Sequence, residues 1–289
     1  MKTQLLPILI TLTFLPLSAV AKDTHAVIAA PVADQVMREQ RTTLADNTLG
    51  QGFGPQSPRD IDSLPGRNAR VFSPAPLASE MNLCNIHFHK NAEHKGGEFT
   101  LYAGNGDGHG NQSGYRYSGQ LSDAERLPVS ASVCPSEHGS LESGDTIEVH
   151  YVYSTAQVKP GPTLAACLNE AIGNPQLRVE TQVLVLVNAN EALNFGELTD
   201  YDASQGLYQA VNIPADTGLP VQYAGSTTGP GYNESGSPFQ VTWNVRPQVA
   251  KVNIQSVATW CTGNDFDEDH GHGVRNLVVN PDLLSQIVR

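Results

Sequence analysis

The feature that most constrains this chain is the stretch Asn85-Ile-His-Phe-His-Lys-Asn-Ala-Glu-His-Lys-Gly-Gly-Glu98. His87 and His89 are two residues apart, and alternate side chains of a strand share a face. The spacing predicts both imidazoles on one sheet surface, with Ile86 and Phe88 on the opposite, apolar side. A second stretch, Asp145-Thr-Ile-Glu-Val-His-Tyr-Val-Tyr153, alternates and is rich in β-branched and aromatic residues, which predicts a strand. That strand puts Glu148, His150 and Val152 on one face. Three histidines on two strands make a nitrogen site suited to zinc, with the fourth tetrahedral position open, as catalytic zinc requires. Glu148, beside the ligand strand, is placed to orient an imidazole.

The compartment is read from the amino terminus and the cysteines. Lys2 precedes an apolar run, Leu5 to Leu17, and then the small residues Ser18-Ala-Val-Ala21. This predicts a secretory signal peptide cleaved after Ala21, with residues 22–50 as an N-terminal extension and 51–289 as the main domain. The run is too short for a membrane span and no second one follows, so no span is expected in the mature chain. The 289 residues carry a formal net charge of −12, and loss of Lys2 makes it more negative. Such a balance disfavours nucleic acid and anionic membrane surfaces as partners and suits a periplasmic or secreted protein. Cys84, Cys134, Cys167 and Cys261 are an even set, which in an oxidising compartment predicts disulfides. Three pairings remain open, and none of the four sits in a C-x-x-C pair. Cys84 lies three residues before His87, so strand parity points it away from the metal face.

Along the chain, a short helix is expected within residues 27–43. An irregular Gly- and Pro-rich segment is expected over 51–65, and a short strand over 68–73. Strands are then expected over 83–89, 98–103 and 146–153, followed by a short helix over 164–171. The apolar run 177–187 predicts a buried central strand. Further strands are expected over 207–213, 220–223, 239–245 and 250–257. The end, 265–289, reads as loop with a short helix near Leu283. The Gly104–Gly114 loop holds too many glycines for a regular element. Its Asn105, Asp107 and Asn111 lack the twelfth-position Glu and flanking helices of a calcium loop, so a surface loop is expected. The acidic cluster Asp265-Phe-Asp-Glu-Asp-His-Gly-His272 is read as solvated rather than as a second metal site. No repeat and no long linker divides the chain, so one mostly β domain is expected.

At this point the chain resembles the carbonic anhydrases. His87-Phe-His89 with Asn91-Ala-Glu-His-Lys-Gly96 is similar to their first ligand strand and its Glu-His turn, and Glu148-Val-His150 to their second. Gln56-Ser-Pro-Arg-Asp-Ile-Asp62 resembles a segment near their amino terminus. Tyr223-Ala-Gly-Ser-Thr-Thr-Gly-Pro230, then Val241-Thr-Trp-Asn-Val245, resembles the threonine gate loop and the strand after it. The stretch between Glu98 and Glu148 is longer than in the α class, the gate loop lacks a residue before Thr227, and a Gly-rich insertion follows Pro230. The HFHKNAEHKGGEF and IEVHY stretches look closer to the δ class.

The resemblance implies an α+β domain like that of the α-carbonic anhydrases, with a large, twisted, mainly antiparallel central sheet and short peripheral helices. It implies zinc held by His87, His89 and His150, and hydration of CO₂ to bicarbonate by a zinc-activated hydroxide. Thr227 would orient that hydroxide and pass its own proton toward Glu93. Glu148 would accept from the free ring nitrogen of His150, and Asn85 would do the same for His87. Val152, Thr228, Trp243 and a residue of Val183–Val187 would line the CO₂ pocket. No shuttle residue matches; His109, His138, His94, His270 and His272 remain unassigned. The motif alignment also implies a Cys84–Cys167 bridge, leaving Cys134 and Cys261. The alternatives are a non-catalytic carbonic-anhydrase-like binding module and a periplasmic zinc-binding protein. Retention of all three histidines speaks against the first, and Glu93 with the threonine loop against the second.

Overall fold

The computed structural model describes residues 30–63 and 65–288. The signal peptide expected over residues 1–21 lies outside them. A six-stranded sheet dominates: β1 (Asn82–Lys90), β2 (Thr146–Ser154), β3 (Leu177–Val187), β4 (Val221–Ser226), β5 (Gln240–Asn253) and β6 (Ile287–Val288). Its spatial order is β1-β2-β3-β5-β4-β6, and every pairing is antiparallel except β3 with β5. The fold is thus mostly β on a mainly antiparallel central sheet, with few helices around it. No helix among the described residues is long and apolar enough to cross a membrane.

Alternation along the strands divides two cores. Ile86 and Phe88 of β1, Val149 and Tyr151 of β2 and Leu184 of β3 pack on one face, against Trp260 of the helix Ile254–Trp260. Val152, Val179, Trp243 and Val245 pack on the other. β2 is buried at every position and β3 at all but Glu180, and the second half of β3, Val183–Val187, is accordingly an unbroken apolar run. Phe88 is fully buried, and its truncation to Ala costs about 3–5 kcal/mol.

Several elements differ from expectation for identifiable reasons. The first helix, α1, runs Asp34–Thr48 and buries Met37, Gln40, Leu44 and Thr48, one stripe at helical spacing. No strand forms at 68–73; Asn68 Oδ1 instead accepts from the Arg70 amide in a local turn, and Pro74 and Pro76 follow. The strand expected at 98–103 shrinks to Leu101–Tyr102, and the helix at 164–171 to a 3₁₀ turn at Leu164–Cys167. The strands expected at 239–245 and 250–257 are one strand, β5, whose register shifts between Val245 and Val249 at Pro247, which has no N–H to give. Asn253 Oδ1 then caps the Gln255 amide at 2.8 Å and turns the chain into a helix, Ile254–Trp260.

Two disulfides join Cys84 to Cys167 and Cys134 to Cys261, so the first is the pair the motif alignment implied. The parity argument for Cys84 fails. A bulge between Leu83 and Asn85 inserts Cys84 as an extra residue, and it packs with Val152 and Trp243 on the metal face.

Candidate metal centre

His87 of β1 lies directly opposite His150 of β2, and His89 opposite Glu148. Each imidazole has one nitrogen already committed. His87 Nδ1 lies 2.6 Å from Asn85 Oδ1, and the Asn85 amide nitrogen donates to Gly161 O at 3.0 Å, which fixes the oxygen toward His87. His89 Nδ1 meets Gly273 O at 2.9 Å, and His150 Nε2 meets Glu148 Oε1 at 2.6 Å. All three partners accept, so these ring nitrogens carry the protons. The opposite nitrogens, Nε2 of His87, Nε2 of His89 and Nδ1 of His150, are left as bare lone pairs.

The bare nitrogens converge within 4.8 Å of one another. His87 Nε2 and His150 Nδ1 are 3.2 Å apart, two lone pairs facing each other. His89 Nε2 is buried without a hydrogen-bond partner among the described residues. Unpaired buried acceptors are costly, and a cation among the three resolves all of them. The donor set therefore fits zinc. Burial, reinforced by repulsion from His150 and His89, holds the His87 pKa well below the ordinary imidazole value. Burial likewise pushes His89 down to about 4, so both are neutral donors at pH 7.

Behind the ligands lies a network that sequence reasoning saw only in part. Glu148 is fully buried and accepts from His150 and from His94, whose Nδ1 lies 2.7 Å away. His94 Nε2 in turn meets the Tyr223 hydroxyl at 2.6 Å. Burial opposes ionisation of Glu148, but the hydrogen bonds it accepts from His94 and His150 outweigh it and hold its carboxyl well below the usual range. His94, one of the unassigned histidines, is thereby committed to Glu148 and Tyr223 inside the protein. The pairing of His94 with Glu148 crosses elements, and residue spacing carries no signal for it.

The gate contact differs from expectation by one residue. Thr228 Oγ1, not Thr227, donates to Glu93 Oε2, at 2.7 Å. Thr227 Oγ1 pairs instead with Ser237 Oγ at 2.6 Å, across the Gly-rich insertion. Thr227 is held at the end of β4 by its amide bond to Phe239 O, and its side chain is drawn to the insertion. The other Glu93 oxygen accepts from the Arg275 amide at 2.9 Å. Val152, Trp243, Thr227 and Thr228 line a cavity of about 40 Å³ with the three histidines. The β3 residues lining it are Leu177 and Val179, not one from Val183–Val187.

Among the remaining histidines, the His272 ring stands 5.8 Å from those of His87 and His89, and its Nε2 meets Glu268 Oε2 at 2.6 Å. His109 and His138 sit in loops, and His138 lines a small cleft with Lys90 and His272. In the Gly104–Gly114 loop, Asp107 spends its oxygens on the amides of His109 and Asn111 and on the Asn111 side chain.

Residues 78–256 match the family described as Delta carbonic anhydrase. No curated protein matches the sequence significantly. Similar solved structures include a hyperthermostable carbonic anhydrase from an active hydrothermal vent chimney, 13% identical over 81% of this chain and 86% of that one, with a TM-score of 0.27. The α-carbonic anhydrase of Photobacterium profundum is 16% identical over 86% and 96%, with a TM-score of 0.29. That of Thermovibrio ammonificans, in complex with the inhibitor sulfanilamide, is 14% identical over 79% and 84%, with a TM-score of 0.26.

Proposed function

The chain belongs to the Delta carbonic anhydrase family, and on that premise we propose that it catalyses the reversible hydration of CO₂ to bicarbonate and a proton with zinc at its centre. The observation that carries this reading is the convergence of three bare imidazole nitrogens beside the Thr228–Glu93 pair. His87, His89 and His150 would hold the metal through those nitrogens. Bound zinc supplies the Lewis acidity that brings a water's pKa from 15.7 to about 7, the value established for carbonic anhydrase.

The protein's own groups do the rest. Thr228 has a single proton, and it is given to Glu93. Its oxygen is therefore left only as an acceptor. It takes a hydrogen bond from the nucleophilic oxygen and thereby turns that oxygen's lone pair toward CO₂. Glu93 fixes this polarity, because its second oxygen is occupied by the Arg275 amide and the carboxylate cannot swing away. Val152, Val179 and Trp243 offer CO₂ an apolar seat beside the histidines. Asn85, Gly273 O and Glu148 hold the three rings in the tautomers that leave the right nitrogens free.

Two disulfides suit an oxidising compartment, which supports action in the periplasm or outside the cell. A stopped-flow CO₂ hydration assay on the zinc-loaded protein, with a sulfonamide control, tests the activity. Full zinc occupancy with no hydration above the uncatalysed rate would leave a zinc-storing protein as the better reading.

A further inference from the structure

The N-terminal helix reaches the gate from behind. Glu93 Oε1 is held by the Arg275 amide, and the next residue, Asn276, donates its side-chain amide to Gln40 Oε1 of α1. Gln40 is committed at its other end as well, donating through Nε2 to Gly108 O at 2.7 Å. The Asn276 amide is tied to Asn233 Oδ1 at 2.7 Å, in the insertion that follows Thr228. The Val274 amide donates to Gly110 O at 3.0 Å. Gly110 has a φ of 105°, and a Cβ there would lie 2.3 Å from Val274 O, so the Gly-rich loop sits flush against this segment. Gln40 and Asn276 are each 8% exposed, so these amides are shielded from water.

The neighbour of Gln40 points to the same place. Arg41 Nε is buried without a partner among the described residues. Arg41 lines a cavity of about 10 Å³ whose walls include Glu93, Tyr115 and Arg275. Two consecutive residues of α1 thus end behind the carboxylate that polarises Thr228. The family match begins at residue 78, so α1 lies outside the matched segment.

We propose that α1 is part of the gate, with Gln40 as a positioning residue that holds Glu93 in place through Asn276 and Arg275. Gln40 touches neither substrate nor metal ligand. It fixes the segment whose backbone N–H anchors Glu93, and so fixes the direction in which Thr228 gives its proton. The catalytic part of this inference rests on the CO₂-hydration reading; the mechanical part does not.

The test uses the full chain, with and without zinc. Gln40→Met keeps length and burial but removes both hydrogen bonds, and Asn276→Ala breaks the same bond from the other side. Both should speed amide hydrogen exchange at Arg275 about 10-fold, in zinc-loaded and zinc-free protein alike. Both should lower kcat/KM for CO₂ hydration roughly 3- to 30-fold at unchanged zinc content. The loss from Gln40→Met should vanish in a Glu93→Gln background, because a residue acting only through Glu93 has nothing left to position. Asn47→Ala, which cuts the bond from α1 to Glu234 O, is the control for ordinary helix docking and should change neither quantity. Unchanged Arg275 exchange in Gln40→Met, an equal response in Asn47→Ala, or full additivity with Glu93→Gln would each overturn the proposal. Faster Arg275 exchange in a protein that hydrates no CO₂ would uphold the mechanical link and reject the enzymatic reading instead.

Discussion

Thr228 Oγ1 donates to Glu93 Oε2 at 2.7 Å, while Thr227 Oγ1, one residue earlier, is paired with Ser237 Oγ at 2.6 Å. The two neighbouring hydroxyls therefore have different work. Loss of one preorganised polar contact in a transition state typically costs about 10²–10³ in rate. Thr228→Ala is expected to lower kcat/KM for CO₂ hydration by that order with zinc retained. Glu93→Gln should show a smaller loss that does not add to it, since the amide keeps the shape yet offers a donor where an acceptor is needed. Thr227→Ala should leave the rate nearly unchanged and cost about 1 kcal/mol of stability. Stopped-flow rates that rank Thr227→Ala below Thr228→Ala would reverse the assignment.

Zinc content is the next expectation. Purified protein should carry one zinc per chain. His87→Ala, His89→Ala and His150→Ala should each lose most of it, because each removes one of three converging donors. Chelation of wild-type protein should lower its melting temperature, since the metal binds the folded site and not the unfolded chain. Elemental analysis finding full occupancy in all three variants would remove the site.

Asn85 separates two effects that usually travel together. Its oxygen holds His87 Nδ1 and its amide nitrogen holds Gly161 O. Asn85→Ala should weaken zinc binding roughly 10- to 100-fold, the usual cost of losing an outer partner of a ligand. Asn85→Asp keeps the acceptor for His87 and loses only the donor to Gly161. It should hold zinc nearly as tightly as wild type while unfolding at lower denaturant. A competitive chelator titration of the two variants reads the difference directly.

How much of this was legible beforehand follows from which signals are local. His87, His89 and His150 were legible because strand parity is a two-residue rule and the metal site is built across one strand pair. The strand Leu177–Val187 was legible because its second half, Val183–Val187, is an unbroken run of β-branched and apolar residues, as a buried central strand requires. The gate register was not legible. It depends on Ser237, ten residues away beyond a Gly-rich insertion, claiming the hydroxyl of Thr227. Cys84 was misread for a similar reason, since a single bulge residue reverses parity and leaves no trace in composition. His94 and Arg275 reach the site through contacts made 54 and 182 residues away, which no spacing rule encodes.

The two disulfides should behave differently when removed. Cys84–Cys167 ties the bulge before Asn85 to the 3₁₀ turn that carries Leu164, a wall of the metal-site cavity. Cys134–Cys261 lies on the opposite face, against Val257 and Trp260. Removing either pair by double Ser substitution should cost about 2–5 kcal/mol in denaturant unfolding. Only loss of Cys84–Cys167 should also weaken zinc, because it frees Gly161, the anchor of the Asn85 amide. Equal zinc affinity in both double variants would show that the bulge is held by packing alone.

Alkaline stability gives a prediction with a fixed sign. Burial raises the Tyr115 hydroxyl to about 12, partly opposed by the nearby charge of Arg41. In the unfolded chain a tyrosine ionises near pH 10. Below pH 10 both states keep the proton, so Tyr115 makes stability neither rise nor fall. Between about 10 and 12 the unfolded state gives up its proton and the folded state does not, so stability falls as pH rises. Tyr151, Tyr153 and Tyr223 are raised by burial in the same direction, so the wild-type protein should lose stability steeply above pH 10. Tyr115→Phe removes one titrating group and one proton's share of that slope. Melting temperatures recorded from about pH 8 to 11.5 should therefore show the variant declining more gently, with the two curves drawing together as the pH rises. Curves that stay parallel across that range would mean that Tyr115 ionises alike in both states, and that its burial does not resist the charge.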